Sequence, residues 1–171
     1  MNLLDLLEVH PVLPKLVFKA QAQKPQVQRI SHLPSVAWAP LAAYLARKTE
    51  RTVLLIAPTA ESGDNSLYDL TALRDEHDPE PLFFPAPDRA VLDDDDDRNA
   101  TQDRLAVLDA LHGKERSVVV TTATAISHPT LPVQELIHGY DELELGGKLE
   151  RDDFILHLAE SGYERVEEVE V

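Results

Sequence analysis

Two uninterrupted apolar runs limit the folds open to this chain more than any other feature of its sequence. Residues 52–57 read "TVLLIA", and residues 116–122 read "RSVVVTT". Short aliphatic and β-branched runs of this kind are typical of strands that are covered on both faces. Such strands occur mainly in parallel sheets flanked by helices, so the two runs predict an α/β domain.

Helical patterns separate these predicted strands. Leucines recur at helical spacing in "SLYDLTALRDEH" and in "NATQDRLAVLDALHG", where Gly113 marks the end of the second helix. Between them, "PLFFPAP" predicts a short strand closed by prolines, and "PQVQRISHL" is a weaker strand candidate near the N-terminus. The order of helix, strand, helix, strand, helix, strand predicts a largely parallel sheet.

The pattern changes after the segment "ATAISHPTLP", and we divide the chain into residues 1–127 and 128–171. The second segment predicts a strand and turn in "DELELGG" and a helix in "RDDFILHLAESGY", with its apolar residues inward and its end at Gly162. A last strand is predicted in "YERVEEVEV". We expect this segment to be the beginning of a small α+β domain that continues past the given sequence.

Composition excludes several classes of protein. The chain has no cysteine, which excludes a disulfide scaffold, a thiol nucleophile and a cysteine-based zinc site. The N-terminus does not have the pattern of a signal peptide, and no apolar run approaches the roughly 20 residues of a membrane span. We therefore expect a cytoplasmic protein without membrane contact.

Charge is unevenly distributed along the chain, whose formal net charge is -15. Residues 1–60 carry seven Lys and Arg against three Asp and Glu, whereas residues 61–171 carry nine against 28. So acidic a surface repels a phosphate backbone, and we do not expect this chain to bind DNA or RNA by itself. A protein partner with a basic face is more plausible, and acidity that serves only solubility is an equal alternative.

The segment "RISHLPSVAWAPLAAYLA", residues 29–46, lies where many nucleotide-binding α/β domains carry a phosphate loop, but it contains no glycine. A phosphate loop needs G-x-x-x-x-G-K-[ST], so that backbone amides and a lysine reach the phosphates. Neither Gly-Lys pair of the chain fits, because Leu108 and Glu142 stand where the first glycine should be. The sequence predicts no phosphate-loop site and no cofactor for this chain.

The remaining candidates for chemistry are weak. Asp93 to Asp97 form a continuous acidic run without the alternating ligands and glycine turn of a calcium loop, so we interpret the run as a solvated loop ahead of a helix. The seven histidines form no H-x-x-x-H pair, and no G-x-S-x-G elbow occurs. Ser117 and Thr121–Thr122 are interpreted as residues at a strand edge. Nothing predicts a catalytic set.

Three segments together resemble one family. "RTVLLIAPTAESGDNSLYDL", "DRLAVLDALHGKERSVVVTTATAISHP" and "LELGGKLERDDFILHLAESGYERVEEVEV" occur in the order found in UvrB-type modules of superfamily 2 helicases. The last of these segments resembles the beginning of a UvrA-binding domain. Because the phosphate-loop position is degenerate, the chain is most similar to the N-terminal UvrB-like module of bacterial transcription-repair coupling factors, over residues 29–171.

This resemblance implies a RecA-like, P-loop-type half-domain with a degenerate nucleotide site, followed by the start of an inserted UvrA-binding domain. It implies a non-catalytic module that recruits UvrA to stalled RNA polymerase in nucleotide excision repair. The polymerase contact, DNA binding, ATP and Mg²⁺ would belong to a motor elsewhere in the parent protein, an ATP-dependent DNA translocase. The family pattern assigns partner binding to Arg165 and, less directly, to Tyr163, which is expected to pack instead.

Two alternatives stay open. One is an ATP-dependent enzyme domain of the UvrB and helicase type with an unconventional nucleotide site. The other is an acidic interaction domain that mimics DNA or is unrelated to this family. For Arg165, a solvent-exposed strand residue that balances neighbouring glutamates is as plausible as a partner contact.

Overall fold

The computed structural model describes residues 4, 7, 9–76, 78–87, 94–113, 116–138, 145–160 and 163, and for residues 94–99 and 137–138 it describes the backbone. The chain divides into two compact units, residues 1–136 and 137–171. The assignment of residues 1–127 and 128–171 to two functional domains stays a prediction.

The described residues form seven α helices, one 3₁₀ helix and three strands. In chain order these are α1 (Leu13–Ala20), the 3₁₀ helix (Ser35–Ala37), α2 (Trp38–Thr49), β1 (Val53–Ala57), α3 (Ala60–Leu73), β2 (Leu82–Phe84), α4 (Asp94–His112), β3 (Val118–Thr122), α5 (Ala123–Ser127), α6 (Val133–His138) and α7 (Arg151–Glu160). The alternation from α2 to β3 confirms the predicted order and the mixed α/β class.

The three strands form one parallel sheet in the order β1-β3-β2. Val53 pairs with Val118, and Leu82 pairs with Val119. The path from β1 to β2 crosses the sheet in one direction, and the path from β2 back to β3 crosses it in the other. Because such crossovers are right-handed, α3 and α4 are expected on opposite faces. The two apolar clusters of the sheet agree with this arrangement.

One face of the sheet is covered by α2 and α3. Its buried core consists of Ala39, Ala42, Leu70, Val118 and Val120. A Cβ at Gly63 would lie 3.3 Å from the Phe83 ring and 3.8 Å from Val120, so the absence of a side chain lets α3 approach the strands closely.

On the opposite face, the described residues cover β2 and β3 but leave β1 exposed. There α4 and α5 contribute Val107 and Ala125 to a cluster with Phe84 and Val119. On this side of β1, Leu54 and Ile56 are 53% and 48% exposed. The prediction that this strand is covered on both faces is therefore wrong, because β1 lies at the sheet edge and α4 packs against β2 instead. For the central strand β3 the same prediction is confirmed, since all five residues are buried.

Two further local predictions are wrong. Residues 25–33 form no strand, and Val27 in this segment is 97% exposed. Pro25 and the alternating polar residues leave too few apolar side chains to bury a face. The acidic run is not a loop ahead of a helix, because the helical backbone of α4 begins at Asp94 and includes Asp95 to Asp97. Acidic residues favour such a position, where they face the positive end of the helix dipole.

In the second unit, α7 confirms the helix predicted in "RDDFILHLAESGY". Phe154 and Leu158 are half-buried, whereas Ile155 is 42% exposed and does not point inward as predicted. Residues 145–146 form the predicted turn. Gly162 and most of the two strand predictions, residues 141–144 and 164–171, lie outside the described residues.

Candidate functional site

The phosphate-loop position is a short connection into α2. Pro34 has extended backbone (φ −66, ψ 153) and precedes the 3₁₀ helix Ser35–Ala37, which runs directly into α2 without a side-chain cap. His32 just before it has a left-handed backbone (φ 62). No strand leads into this turn within the described residues, so the strand–loop–helix unit that cradles phosphates is not formed here.

The carboxyl edge of the sheet is the second place where an open parallel sheet commonly binds ligands. Here threonine hydroxyl groups at the ends of the strands, or just after them, cap the helices that follow. The Oγ1 of Thr59 accepts a hydrogen bond from the Ser62 N–H (3.1 Å), and the Oγ1 of Thr122 accepts one from the Ala125 N–H (3.1 Å). Both are N-caps that satisfy a helix N–H which a phosphate would otherwise occupy.

Polar residues at both ends of β3 are buried, and their hydroxyl groups are hydrogen-bonded. Thr121 is fully buried, and its hydroxyl donates to the Phe84 carbonyl at 2.9 Å. Ser117 is 2% exposed and donates to the Glu80 carbonyl at 2.7 Å. Ser117 directly precedes β3, and Thr121 and Thr122 are its last two residues, so these residues border a strand as the sequence indicated. They are buried because β3 is the central strand.

Arg104 of α4 connects the segments that follow β2 and β3. Its Nη1 donates to the carbonyls of Pro85 (2.7 Å) and Ala125 (3.2 Å), and its Nη2 donates to the carbonyl of Pro129 (3.2 Å). The guanidinium carbon lies 4.1 Å from the centre of the Phe84 ring. Burial lowers the pKa of Arg104, which is only 7% exposed. The guanidinium group of Arg104 therefore holds together the segments that follow β2 and β3 at this edge of the sheet.

Sequence reasoning did not identify Arg104. Its only signal is its position, which directly precedes Leu105, the first leucine of the apolar pattern of α4. A basic residue there is usually solvated, because its long stem lets the charge reach water. The three carbonyls that hold Arg104 come from separate segments, and a single sequence does not show that they meet.

Of the two residues assigned to partner binding, Tyr163 alone is among the described residues. The ring of Tyr163 is 69% exposed, so it does not pack as the sequence led us to expect, and its N–H donates to the Leu158 carbonyl at 3.0 Å. Arg165 lies outside the described residues. The partner-binding role of both residues stays a prediction.

Among the described residues, no group of three or more histidine, aspartate or glutamate side chains could hold a metal ion. The search for membrane spans likewise covered the described residues and found no helix long and apolar enough to cross a bilayer.

Comparisons of the chain with protein-family models, with curated proteins and with solved structures found no match.

Proposed function

We propose that this chain is a non-catalytic recruitment module of the transcription-repair coupling factor type, which binds UvrA through its C-terminal segment. In this proposal the α/β unit is a RecA-like half-domain with a degenerate nucleotide site. ATP, Mg²⁺, DNA and RNA polymerase belong to other parts of the parent protein, which acts in the cytoplasm.

The observation that carries the proposal is the ordered resemblance of three segments around a phosphate-loop position that lacks glycine and lysine. Two features of the α/β unit support it. The turn into α2 is formed by Pro34 and a 3₁₀ helix, and the helix N–H groups at the carboxyl edge are capped by Thr59 and Thr122. Both features favour a scaffold over a nucleotide-hydrolysing site.

Measurement of UvrA binding by calorimetry tests the proposal, with the protein that contains residues 1–171. We expect saturable binding that the substitution Arg165→Ala weakens by about tenfold, as for a charged residue near the centre of an interface. Tyr163→Ala is expected to weaken binding by a smaller factor, because the exposed ring offers contact area at the same segment.

Arg151→Ala is the matched control, since Arg151 is an exposed arginine at the start of α7 in the same unit. Its effect on UvrA affinity is expected to be less than twofold. Absence of UvrA binding by the unmodified protein contradicts the proposal. Equal losses of UvrA affinity for Arg151→Ala and Arg165→Ala would show a general effect of charge and would contradict the specific assignment of Arg165.

A further inference from the structure

A cavity of about 620 Å³ opens at the amino-terminal edge of the sheet. It is lined by Pro81, which precedes β2, by Ser117 and Val118 at the beginning of β3, and by the last turns of α2 and α3. This edge is opposite the carboxyl edge of the sheet, where Arg104 binds the carbonyls that follow β2 and β3. Its volume lies within the range of about 300–1,000 Å³ that is usual for small-molecule sites.

The floor of the cavity is apolar, and it stays open because α2 contributes small side chains to it. Ala43 and Ala46 of α2 lie opposite Leu70 and Leu73 of α3, with Val118 of β3 also in the lining. A well-packed interior would fill such a space with larger side chains, since unfilled apolar volume costs stability. An apolar molecule that enters would recover those lost contacts.

Among the described residues, the rim of the cavity carries three arginines and two carboxylates, in a chain whose net charge is -15. Arg47 is already engaged, because its Nε donates to both carboxylate oxygens of Asp78 at 3.0 and 3.1 Å and its Nη2 pairs with Asp78 and with Asp75 (2.9 Å). Glu76 is the second carboxylate of the rim and is exposed.

The two other arginines of the rim have weaker interactions with carboxylates than Arg47 has. The Nε of Arg74 donates to the Asp78 carbonyl at 3.0 Å, and this bond directs the guanidinium without neutralising its charge. Arg116 pairs with Glu50 at 3.3 Å, but both side chains are more than half exposed, so the pair contributes little and is easily exchanged. The carbonyl ends of α2 and α3 add partial negative charge here, which Arg47 and Arg74 offset.

We propose that this cavity binds a small amphiphilic anion. Its apolar body lies on the alanine and leucine floor, and its single carboxylate or phosphate group is held by the guanidinium groups of Arg74 and Arg116. Arginine suits both head groups, because its planar fork donates two parallel hydrogen bonds to either. The proposal does not rest on the recruitment function.

Isothermal calorimetry with four eight-carbon probes tests the site: octanoate, octyl phosphate, octanol and octylammonium. We expect saturable binding of one or both anions with a one-to-one ratio, at least tenfold tighter than that of the alcohol or the ammonium compound. The ratio of the two anion affinities distinguishes a carboxylate site from a phosphate site. Tighter binding of octylammonium would overturn the proposal in favour of a site dominated by Glu76 and the helix carbonyls.

Two variants locate the binding. Arg74→Gln is expected to weaken anion binding by about tenfold and to leave octanol binding unchanged, whereas Ala46→Leu fills the floor and should abolish binding of all probes. Arg29→Gln is the matched control, because Arg29 is exposed and does not line the cavity. Circular dichroism verifies that each variant is folded.

The Arg74 variant keeps the test decisive if Ala46→Leu does not fold, since Arg74 is exposed at the end of α3. The proposal is overturned if no anion binds below about 1 mM. Equal weakening by Arg29→Gln and Arg74→Gln overturns it as well, and so does undiminished binding by a folded Ala46→Leu protein.

Discussion

At the scale of single residues, Arg104 is the buried charge that the unit accommodates without a carboxylate partner among the described residues. Three backbone carbonyls and the face of Phe84 surround its guanidinium. A guanidinium is more weakly hydrated than an ammonium group, so it is the cation that is least costly to bury in this way. Its donors also satisfy carbonyls that have no strand partner after β2 and β3 end.

We predict that Arg104→Met lowers the free energy of unfolding by about 3 kcal/mol, because it removes three hydrogen bonds of a buried cation and takes a donor from the carbonyls of Pro85 and Pro129. Urea denaturation at pH 7 measures this change. Arg51→Met is the control, since exposed Arg51 also donates to two carbonyls, those of Ala20 and Gln21, and should cost less than about 1 kcal/mol. Equal costs for the two substitutions would show that burial of Arg104 contributes nothing.

A second residue-scale prediction concerns the pair Arg47–Asp78. Burial alone would raise the pKa of Asp78, but hydrogen bonds from Arg47 and from the Asp75 N–H, together with the charges of Arg47 and Arg74, lower it below its ordinary value of 3.8. The folded state therefore binds its proton less readily than the unfolded state. The pair's contribution is present above pH 3.8 and is lost as pH falls through the lower folded pKa.

Asp78→Asn is expected to destabilise the protein by about 1 kcal/mol at pH 7, a modest value because the pair is partly exposed to water. The difference in urea midpoint between the two proteins should shrink steadily as the pH is lowered from 4 towards 2. Lys148 and Glu150 form an exposed pair at 3.0 Å, and Glu150→Gln serves as a control with little effect at any pH. A difference for Asp78→Asn that is independent of pH would contradict the assignment.

At the scale of elements, the apolar runs predicted β1, β2 and β3 but not how deeply each is buried, and the weaker pattern of residues 25–33 predicted a strand that does not form. "TVLLIA" and "RSVVVTT" have similar composition, yet β3 is buried throughout and β1 is exposed along one side. Strand order decides this difference, because β3 has a neighbour on both sides and β1 is at the edge. Order depends on contacts between residues that are far apart in sequence, which a local pattern does not record.

The two sides of β1 should respond differently to the same substitution. Leu55 packs with the cluster beneath α2 and α3, whereas its neighbour Leu54 is 53% exposed. Leu55→Thr is expected to cost about 2 kcal/mol and Leu54→Thr less than about 0.5 kcal/mol, since threonine retains the preference for a strand. Thermal and urea unfolding measure both. A large cost for Leu54→Thr would mean that its side of the strand is covered in solution.

At the scale of the whole molecule, the sequence predicted the class and order of the α/β unit but neither of its two organised polar sites. The glycine-free segment around Pro34 excluded a phosphate loop directly, because that motif is local. Arg104 binds backbone carbonyls 19 to 25 positions away, and these carbonyls have no residue signature. Arg74 and Arg116 of the cavity rim are 42 positions apart in the sequence. Such sites exist only after the chain has folded.

The prediction that this chain has no nucleotide site can be tested on the whole molecule, because ATP bound at any site would stabilise the folded chain. A ligand present at about 100 times its dissociation constant adds about 2.7 kcal/mol to the free energy of unfolding, so the melting temperature would rise by several degrees. We expect no rise with millimolar Mg-ATP compared with equal ionic strength from MgCl₂ and NaCl. Differential scanning calorimetry makes the measurement. A rise in melting temperature that depends on the Mg-ATP concentration would contradict the degenerate-site proposal and favour an ATP-using domain. A rise with octyl phosphate but not with Mg-ATP would assign the stabilisation to the arginine-rimmed cavity.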